Sequence, residues 1–496
     1  MNTIEFFLEP SKENYHTLRV KSQDGSFRYI HSKYFPTKES SYLQDIVNPE
    51  KYDVCIILGI GLGYHLAYIA DIIPFFKQII CIDINNYLSN ATIPQQIQAI
   101  IHNPSIQLVF VNPDNLDQLR DLIQLQFIKG IQVIDHPASF HAFPQLFSSI
   151  KKIIQQIVEK AISNHLTTSL FAYRYCKNAL INLNRLPDCL PVAQYRAIHA
   201  NQPCIIVAPG PSLDDTLYHL KDHQHNCIII TVDSALKALH AHSIIPDYIV
   251  SIDPQPVVFA HLFTIQPNAH IITTLTAHPM IFSFPAIVYL NTHPICQLLE
   301  ELYPRTIGSV DSRTGTVLGD AVSFALFAGC NPIAIAGADF SFPHFTTYAC
   351  STEYHRRYQL VHSRYTPLET KNMDYIIHAS KRTVATGTFS RKNFIQYRDA
   401  LDTMLPHDIS IFHINPVLPL SHANVISIHN FLSLPQVSNY TKRENPRIFQ
   451  PLSHTIHLHD VLTILDDKNT LHTILESSRV YNDTHIQRIH HLLYKR

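Results

Sequence analysis

The residues of this chain that could do chemistry stand directly behind short apolar runs. Cys204–Val207 is a continuous, largely β-branched stretch that ends in Ala208-Pro209-Gly210-Pro211-Ser212, after which Leu213, Leu217 and Leu220 repeat at helical spacing. A buried strand, a glycine turn and a helix start in that order make an anion site. The first amides of a helix have no partner inside it, and its dipole favours negative charge. Gly210, Pro211 and Ser212 are therefore candidates to hold a phosphate. The competing reading is an ordinary βα corner capped by Ser212, because Asp214 and Asp215 already occupy the first turn. Asp233 and Ser234 follow the apolar run 227–232, Asp253 follows 247–252, and Asp339 follows 332–336. Ligands of parallel sheets collect outside the carboxyl ends of the strands, so these positions are expected to converge. Ser312–Thr316, S-R-T-G-T, precedes a helix that is apolar on nearly every face. Arg313, Gly315 and Thr316 would suit a second anion contact, or equally a capped helix with a surface arginine. His344, near Asp339, is the candidate general base, set against a composition with 32 histidines that makes any single one weak evidence.

A second strand–glycine–helix unit stands earlier in the chain. Val54–Leu58 runs into Gly59, Gly61 and Gly63, Leu66, Ile69, Ala70 and Ile73 follow at helical spacing, and the next apolar run closes on Asp83. An acidic residue roughly 20 positions beyond the glycines is where Rossmann-like folds meet a ribose. The spacing is G-x-G-x-G, however, and misses the dinucleotide fingerprint. It is closer to a methyl-donor loop, although no acidic residue ends the first strand, and a purely structural glycine turn is the competing reading.

These sites require a multi-domain α/β protein. Residues 1–165 are expected to hold a β-rich segment, with a hairpin at Asp24-Gly25, and a Rossmann-like domain with further strands at Ile106–Val111 and Ile131–Ile134. Residues 166–200 read as a helical connector. Residues 201–433 read as a central α/β domain with a mainly parallel sheet, its strands at 204–208, 227–232, 247–252, 270–274, 286–290 and 332–336. Within it 351–383 looks polar and irregular, and 392–405 helical. Residues 434–496 read as a helical C-terminal domain, a hairpin built on Leu471, Ile474 and Leu475 and on Ile486, Ile489 and Leu493. The formal net charge of −1 gives no basic field for nucleic acid. The nine cysteines form no C-x-x-C pair and read as small buried residues of a reducing compartment. No signal peptide and no apolar run long enough to span a membrane is found, so a cytoplasmic location is expected. No D-x-D motif is present, the closest pair being Asp114 and Asp117, and no metal site is expected.

Taken in order, several of these segments resemble the motility-associated factor (Maf) family of flagellin glycosyltransferases. The likeness is carried by Y-I-H-S-K-Y-F-P-T-K-E (Tyr29–Glu39), I-L-G-I-G-L-G-Y-H (Ile57–His65) and Pro203–Leu213 ending A-P-G-P-S-L. It continues in V-D-S-A-L-K-A-L and I-P-D-Y-I-V-S-I-D-P between Val232 and Pro254, G-T-V at Gly315, and G-A-D-F at Gly337. The family's central domain is similar to bacterial sialyltransferases and to archaeal 6-hydroxymethylpterin diphosphokinases. The resemblance implies a CMP-activated nonulosonic acid (pseudaminic or legionaminic type) as donor, a flagellin Ser or Thr as acceptor, and no required cofactor. It implies donor-phosphate binding at Gly210, Pro211 and Ser212, with Asp233, Ser234 and Asp253 around nucleotide and sugar. The family usually has a glycine where this chain has Ala208-Pro209, and the proline removes one amide from the turn. Three alternatives stay open at this point: a diphosphokinase-like phosphotransferase, methyl transfer through the N-terminal loop, and a non-catalytic flagellin-binding protein.

Overall fold

The computed structural model describes residues 5–466 apart from 23, 124, 126–128, 263–268, 380–381, 386–387, 443–448 and 457, together with residue 475. The chain forms two compact units, Met1–Leu170 and Phe171–Arg496.

The first unit opens with an antiparallel sheet of β1 (Phe6–Pro10), β2 (His16–Lys21) and β3 (Phe27–Tyr29). The expected turn joins β2 to β3: Gly25 has φ +81° and Asp24 accepts the Ser26 amide at 2.9 Å. A parallel sheet follows, made of β4 (Val54–Leu58), β5 (Gln78–Asp83), β6 (Ile106–Phe110) and β7 (Ile131–Asp135) in the order β6-β5-β4-β7. Every residue of β4 is buried, which is why it reads as an unbroken apolar run and not an alternating one. Ile56, Leu58, Ile80 and Ile82 pack with Phe147, Ile150 and Ile154 from the long helix Pro144–Leu183. The expected α-helix after Gly63 is instead a 3-10 helix, Tyr64–Asp71. Gly63, left-handed at φ +79°, stands directly before this segment and Pro74 shortly after it.

The second unit is built on a nine-stranded, wholly parallel sheet. Its strands are β8 (Leu190–Pro191), β9 (Cys204–Val207), β10 (Ile228–Val232), β11 (Tyr248–Val250), β12 (His270–Thr274), β13 (Ala286–Tyr289) and β14 (Ile333–Ala336). A small antiparallel sheet of β15 (Phe342–Pro343), β16 (Arg382–Ala385) and β17 (Thr388–Ser390) intervenes, and β18 (Ile411–Ile414) and β19 (Asn424–Ile426) complete the large one. The order β19-β18-β14-β9-β10-β11-β12-β13-β8 shows that the chain winds outward from β9 to β13, then returns to pair β14 on the other side of β9. The crevice between β9 and β14 is thus the point where the winding reverses, the usual binding place of such sheets.

Two regions differ from expectation. Leu190–Pro191, expected in a helical connector, is an edge strand beside β13, where a proline's missing amide disrupts no ladder on its outer side. Residues 351–383, expected to be irregular, hold helices Glu353–Leu360 and Leu368–Ala379. Their many polar, exposed residues left no apolar stripe to read. Of the helical C-terminus, Pro435–Ser438 and Leu458–Asp466 are helical. The hairpin expected farther on lies outside the described residues, apart from Leu475. Among the described residues no helix is long and apolar enough to cross a membrane.

Candidate active site

The turn after β9 meets the turn after β14. The Gly210 amide donates to the Gly337 carbonyl at 2.8 Å, and the Ser212 amide donates to Asp339 Oδ2 at 3.0 Å. A side chain on Gly210 would meet Asp339 Oδ2 at 2.3 Å and the Gly337 carbonyl at 2.4 Å, so only glycine lets the two turns come this close. The Leu213 amide returns to the Gly210 carbonyl at 3.0 Å, and Pro209 and Pro211 have no amide to offer. The anion position at the start of helix Leu213–Asp222 is therefore held by the protein's own Asp339. That carboxyl is buried, its Oδ1 has no hydrogen-bond partner, and it is pushed up to about 6. Burial is the main cause, Asp214 adds to it, and the Ser212 amide and hydroxyl oppose it. A carboxyl in that range can turn neutral and yield its place, or a proton, to a phosphate. The Gly210–Ser212 turn itself is half-buried.

A second cluster forms behind β10 and β11. Asp233 is buried, and its Oδ2 accepts the Ser251 hydroxyl at 2.6 Å. His261 Nδ1, from helix Val258–Leu262, lies 3.6 Å from Asp233 Oδ1. Both His261 nitrogens are buried without a hydrogen-bond partner. Asp253 is half-buried and accepts the Gln255 amide at 2.8 Å. Burial raises its carboxyl and the Asp233 charge raises it further, while the Gln255 amide and His261 oppose. Tyr354 packs edge-on against His261, ring centroids 5.4 Å apart, and stacks on Tyr348 at 4.3 Å. Burial, then Asp233 and Asp253, push its phenol up to about 12. Lys237, one turn beyond Asp233, pairs with Glu353, which also receives Arg356 and Arg357. These cations overcome the effect of burial and hold Glu353 at about 2, fastening the helix that carries Tyr354.

The other expected residues divide. Ser234 is half-buried beside Asp233. Asp339 belongs to the β9–β14 crevice with Asp214, whereas Asp233 and Asp253 face His261, so the carboxylates make two groups and not one. Thr316 is the N-cap of helix Val317–Phe327, accepting the Gly319 amide at 3.0 Å, and exposed Arg313 pairs with Asp311 at 2.7 Å. Gly315 supplies the left-handed turn, φ +64°. The capped-helix reading accounts for all three. His344 is exposed, in a left-handed conformation at φ +49°. His261, Ser251 and Tyr354 join the cluster without a signal in the sequence. Nothing in the sequence separates His261 from the other histidines, and only the strand order brings it to Asp233.

The glycine loop of the first unit is occupied in the same way. Asp83 Oδ2 accepts the Ile60 and Gly61 amides at 2.6 and 2.7 Å, and Oδ1 accepts Ile84 at 2.7 Å. The Gly59 amide goes to Ile82, Gly63 to Ile60, and Leu62 to His31 Nε2. Asp83 is buried and faces the loop, not a ribose, and a 3-10 helix supplies no α-helical N-terminus behind the glycines.

Comparison with known proteins bears on the fold and on the span of the central domain. Residues 177–344 match the family model of the 6-hydroxymethylpterin diphosphokinase MptE-like proteins, a span from before β8 to just past β15 that includes both turns of the crevice. Two proteins of Treponema pallidum (strain Nichols), both described as uncharacterized, are 27% identical over 131 residues and 28% over 168 residues. Those matches cover 26% and 31% of this chain, and the chain spans only 58% and 59% of the length of these relatives. A solved structure, that of the MAf glycosyltransferase from Magnetospirillum magneticum AMB-1, superposes with a TM-score of 0.57 over 96% of this chain and 82% of its own, at 14% identity. At that identity the likeness is one of fold. The resemblance drawn from sequence motifs is met in two parts: a Maf glycosyltransferase shares the fold over most of the chain, and the diphosphokinase MptE-like model matches its centre.

Proposed function

We propose that the chain is a glycosyltransferase that moves a nonulosonic acid of pseudaminic or legionaminic type from a CMP-activated donor to Ser or Thr hydroxyls of flagellin, in the cytoplasm. The observation that supports this most is a fold shared across nearly the whole chain with a Maf glycosyltransferase, with a buried acid–imidazole cluster at the carboxyl ends of the central strands. In this reading Asp233, fixed by Ser251, orients His261, and His261 takes the proton of the acceptor hydroxyl. The acceptor oxygen bonds to the anomeric carbon as the carbon–oxygen bond to the phosphate breaks, and CMP departs as a monophosphate. The Gly210–Ser212 turn with Asp339 receives that phosphate. Asp253 faces the sugar, and His261 replaces His344 as the candidate base. A single departing phosphate needs no divalent ion to bridge it.

The family-model match supports a second reading, a diphosphokinase-like phosphotransferase, which would need Mg²⁺ between its phosphates. One assay separates them: enzyme, CMP-activated sugar and flagellin in excess EDTA, followed by mass spectrometry of flagellin. Full transfer supports the glycosyltransferase. Transfer abolished by EDTA and restored by Mg²⁺ overturns the metal-free step. Flagellin binding without transfer from any CMP-sugar identifies a non-catalytic binding protein. His261→Gln should lower kcat by about 10²–10⁴-fold, whereas His344→Gln should leave it within a factor of a few.

A further inference from the structure

The N-terminal unit holds a second cluster with its own chemistry. His31 and Glu39 come from the segment Tyr29–Glu39, His65 is the second residue of the 3-10 helix after Gly63, and His136 follows β7. One ligand atom from each of these residues lies within 4.8 Å of the others. The three imidazoles are buried, and Glu39, 24% exposed, is the side open to solvent. The decisive feature is His65. It is fully enclosed, yet neither ring nitrogen makes a hydrogen bond of good geometry, and the Gly59 backbone gives it only weak support. A buried, unpartnered imidazole is destabilising unless something fills its lone pair.

We propose that Glu39, His65 and His136 bind one divalent transition-metal ion of the zinc class, with His31 positioning Glu39. The assignment of roles follows from the hydrogen bonds. His31 Nε2 accepts the Leu62 amide at 2.8 Å, which leaves the proton on Nδ1, and Nδ1–H donates to Glu39 Oε2 at 2.6 Å. His31 thus has no free lone pair and acts by aiming the carboxylate, whose Oε1 is held by the Ser32 amide at 2.6 Å. His136 Nδ1 is anchored to the Ser139 hydroxyl at 2.9 Å, leaving Nε2 as its ligand atom. The His65 and His136 rings stack at 4.3 Å, 8° from parallel, so their lone pairs do not yet aim at one point. His65 has no side-chain hydrogen bond to lose on turning. Tetrahedral zinc with bonds of about 2.0–2.1 Å needs ligand atoms roughly 3.3 Å apart, so the proposal requires the His65 ring to turn and close the spread of up to 4.8 Å, with water as the fourth ligand. The glycines serve the same end. A side chain on Gly61 would strike His31 Nε2 at 2.3 Å, and one on Gly59 would strike Ser139 Oγ at 2.5 Å and His136 Cβ at 3.1 Å.

The test uses the full-length protein expressed with supplemented zinc and passed over a chelating resin, with metal read by mass spectrometry. About one ion per chain is expected. His31→Ala, which removes the positioning contact, should weaken retention by about 10–100-fold, His65→Ala and Glu39→Gln should weaken it more, and exposed His141→Ala should leave it unchanged. Stripping should lower the Tm of the wild type and not of His65→Ala. Cobalt substitution of the wild type should give visible d–d bands, which keeps the test valid if a variant fails to fold. Far less than one ion per chain with no cobalt spectrum, or an ion retained equally by His65→Ala and His136→Ala as surface histidines would hold it, overturns the proposal.

Discussion

Two corners of this molecule share one sequence pattern and differ in what they leave open. Both run from a buried parallel strand through a glycine turn into a helical segment, at Gly59–Gly63 and at Gly210–Ser212, and both place a carboxylate from the end of a neighbouring strand, or just beyond it, on the turn's amides. Asp83 accepts three amides with its two oxygens. Asp339 accepts one amide and leaves Oδ1 without a partner. The first corner is closed on itself, while the second is held in place yet unsaturated. A glycine motif therefore states how closely another group can approach the backbone. Which group comes, and whether it leaves room for a ligand, is decided by the neighbouring strand.

The largest effect expected from this contrast is at Asp83. Asp83→Ala orphans three buried amides and should lower stability by roughly 3–5 kcal/mol, measured by urea unfolding with a probe in the first unit. A loss below about 1 kcal/mol would break the description of that corner as closed by Asp83. Next is Gly210→Ala, whose added carbon collides with Asp339 and the Gly337 carbonyl. About 2–3 kcal/mol of destabilisation is expected, together with loss of CMP binding by calorimetry. Unchanged stability and affinity would mean that the turns separate freely.

Asp339 sharpens the comparison through pH. Its folded pKa, about 6, lies above the ordinary 3.8, so between those values the folded state binds more protons than the unfolded one. Stability from this group is therefore full below pH 4 and declines as pH rises through 6. Asp339→Asn should flatten that decline by about 1–3 kcal/mol between pH 4 and 7, read from denaturation midpoints at each pH. A variant with the wild-type slope would remove Asp339 as its source. The smallest effect is at the third helix start. Thr316→Ala removes an ordinary cap and should lower stability by about 1 kcal/mol with donor affinity unchanged. A marked loss of affinity would return Arg313, Gly315 and Thr316 to the binding site.

The sequence by itself determined most of the strands and their order along the chain. Strands buried on both faces are apolar at nearly every position, so Val54–Leu58, Cys204–Val207 and Ile333–Ala336 stand out as unbroken runs and Ile228–Val232 is interrupted only by Thr231. It also determined that Asp233, Asp253 and Asp339 stand just beyond strand ends, because polarity returns where the chain leaves the sheet. Elements with little apolar surface left no such mark: the two-residue edge strand Leu190–Pro191 and the helices Glu353–Leu360 and Leu368–Ala379. Only the tertiary structure decided who meets whom. That β14 returns to pair β9 puts Asp339 against Ser212 across 127 residues of chain. Strand order within each sheet likewise sends Asp83 into the glycine loop after β4, joins His261 to Asp233, and helps gather His31, Glu39, His65 and His136. Periodicity reports only whether a residue faces the core or the solvent. The partner of a buried polar group is fixed by strand order, which no local spacing encodes.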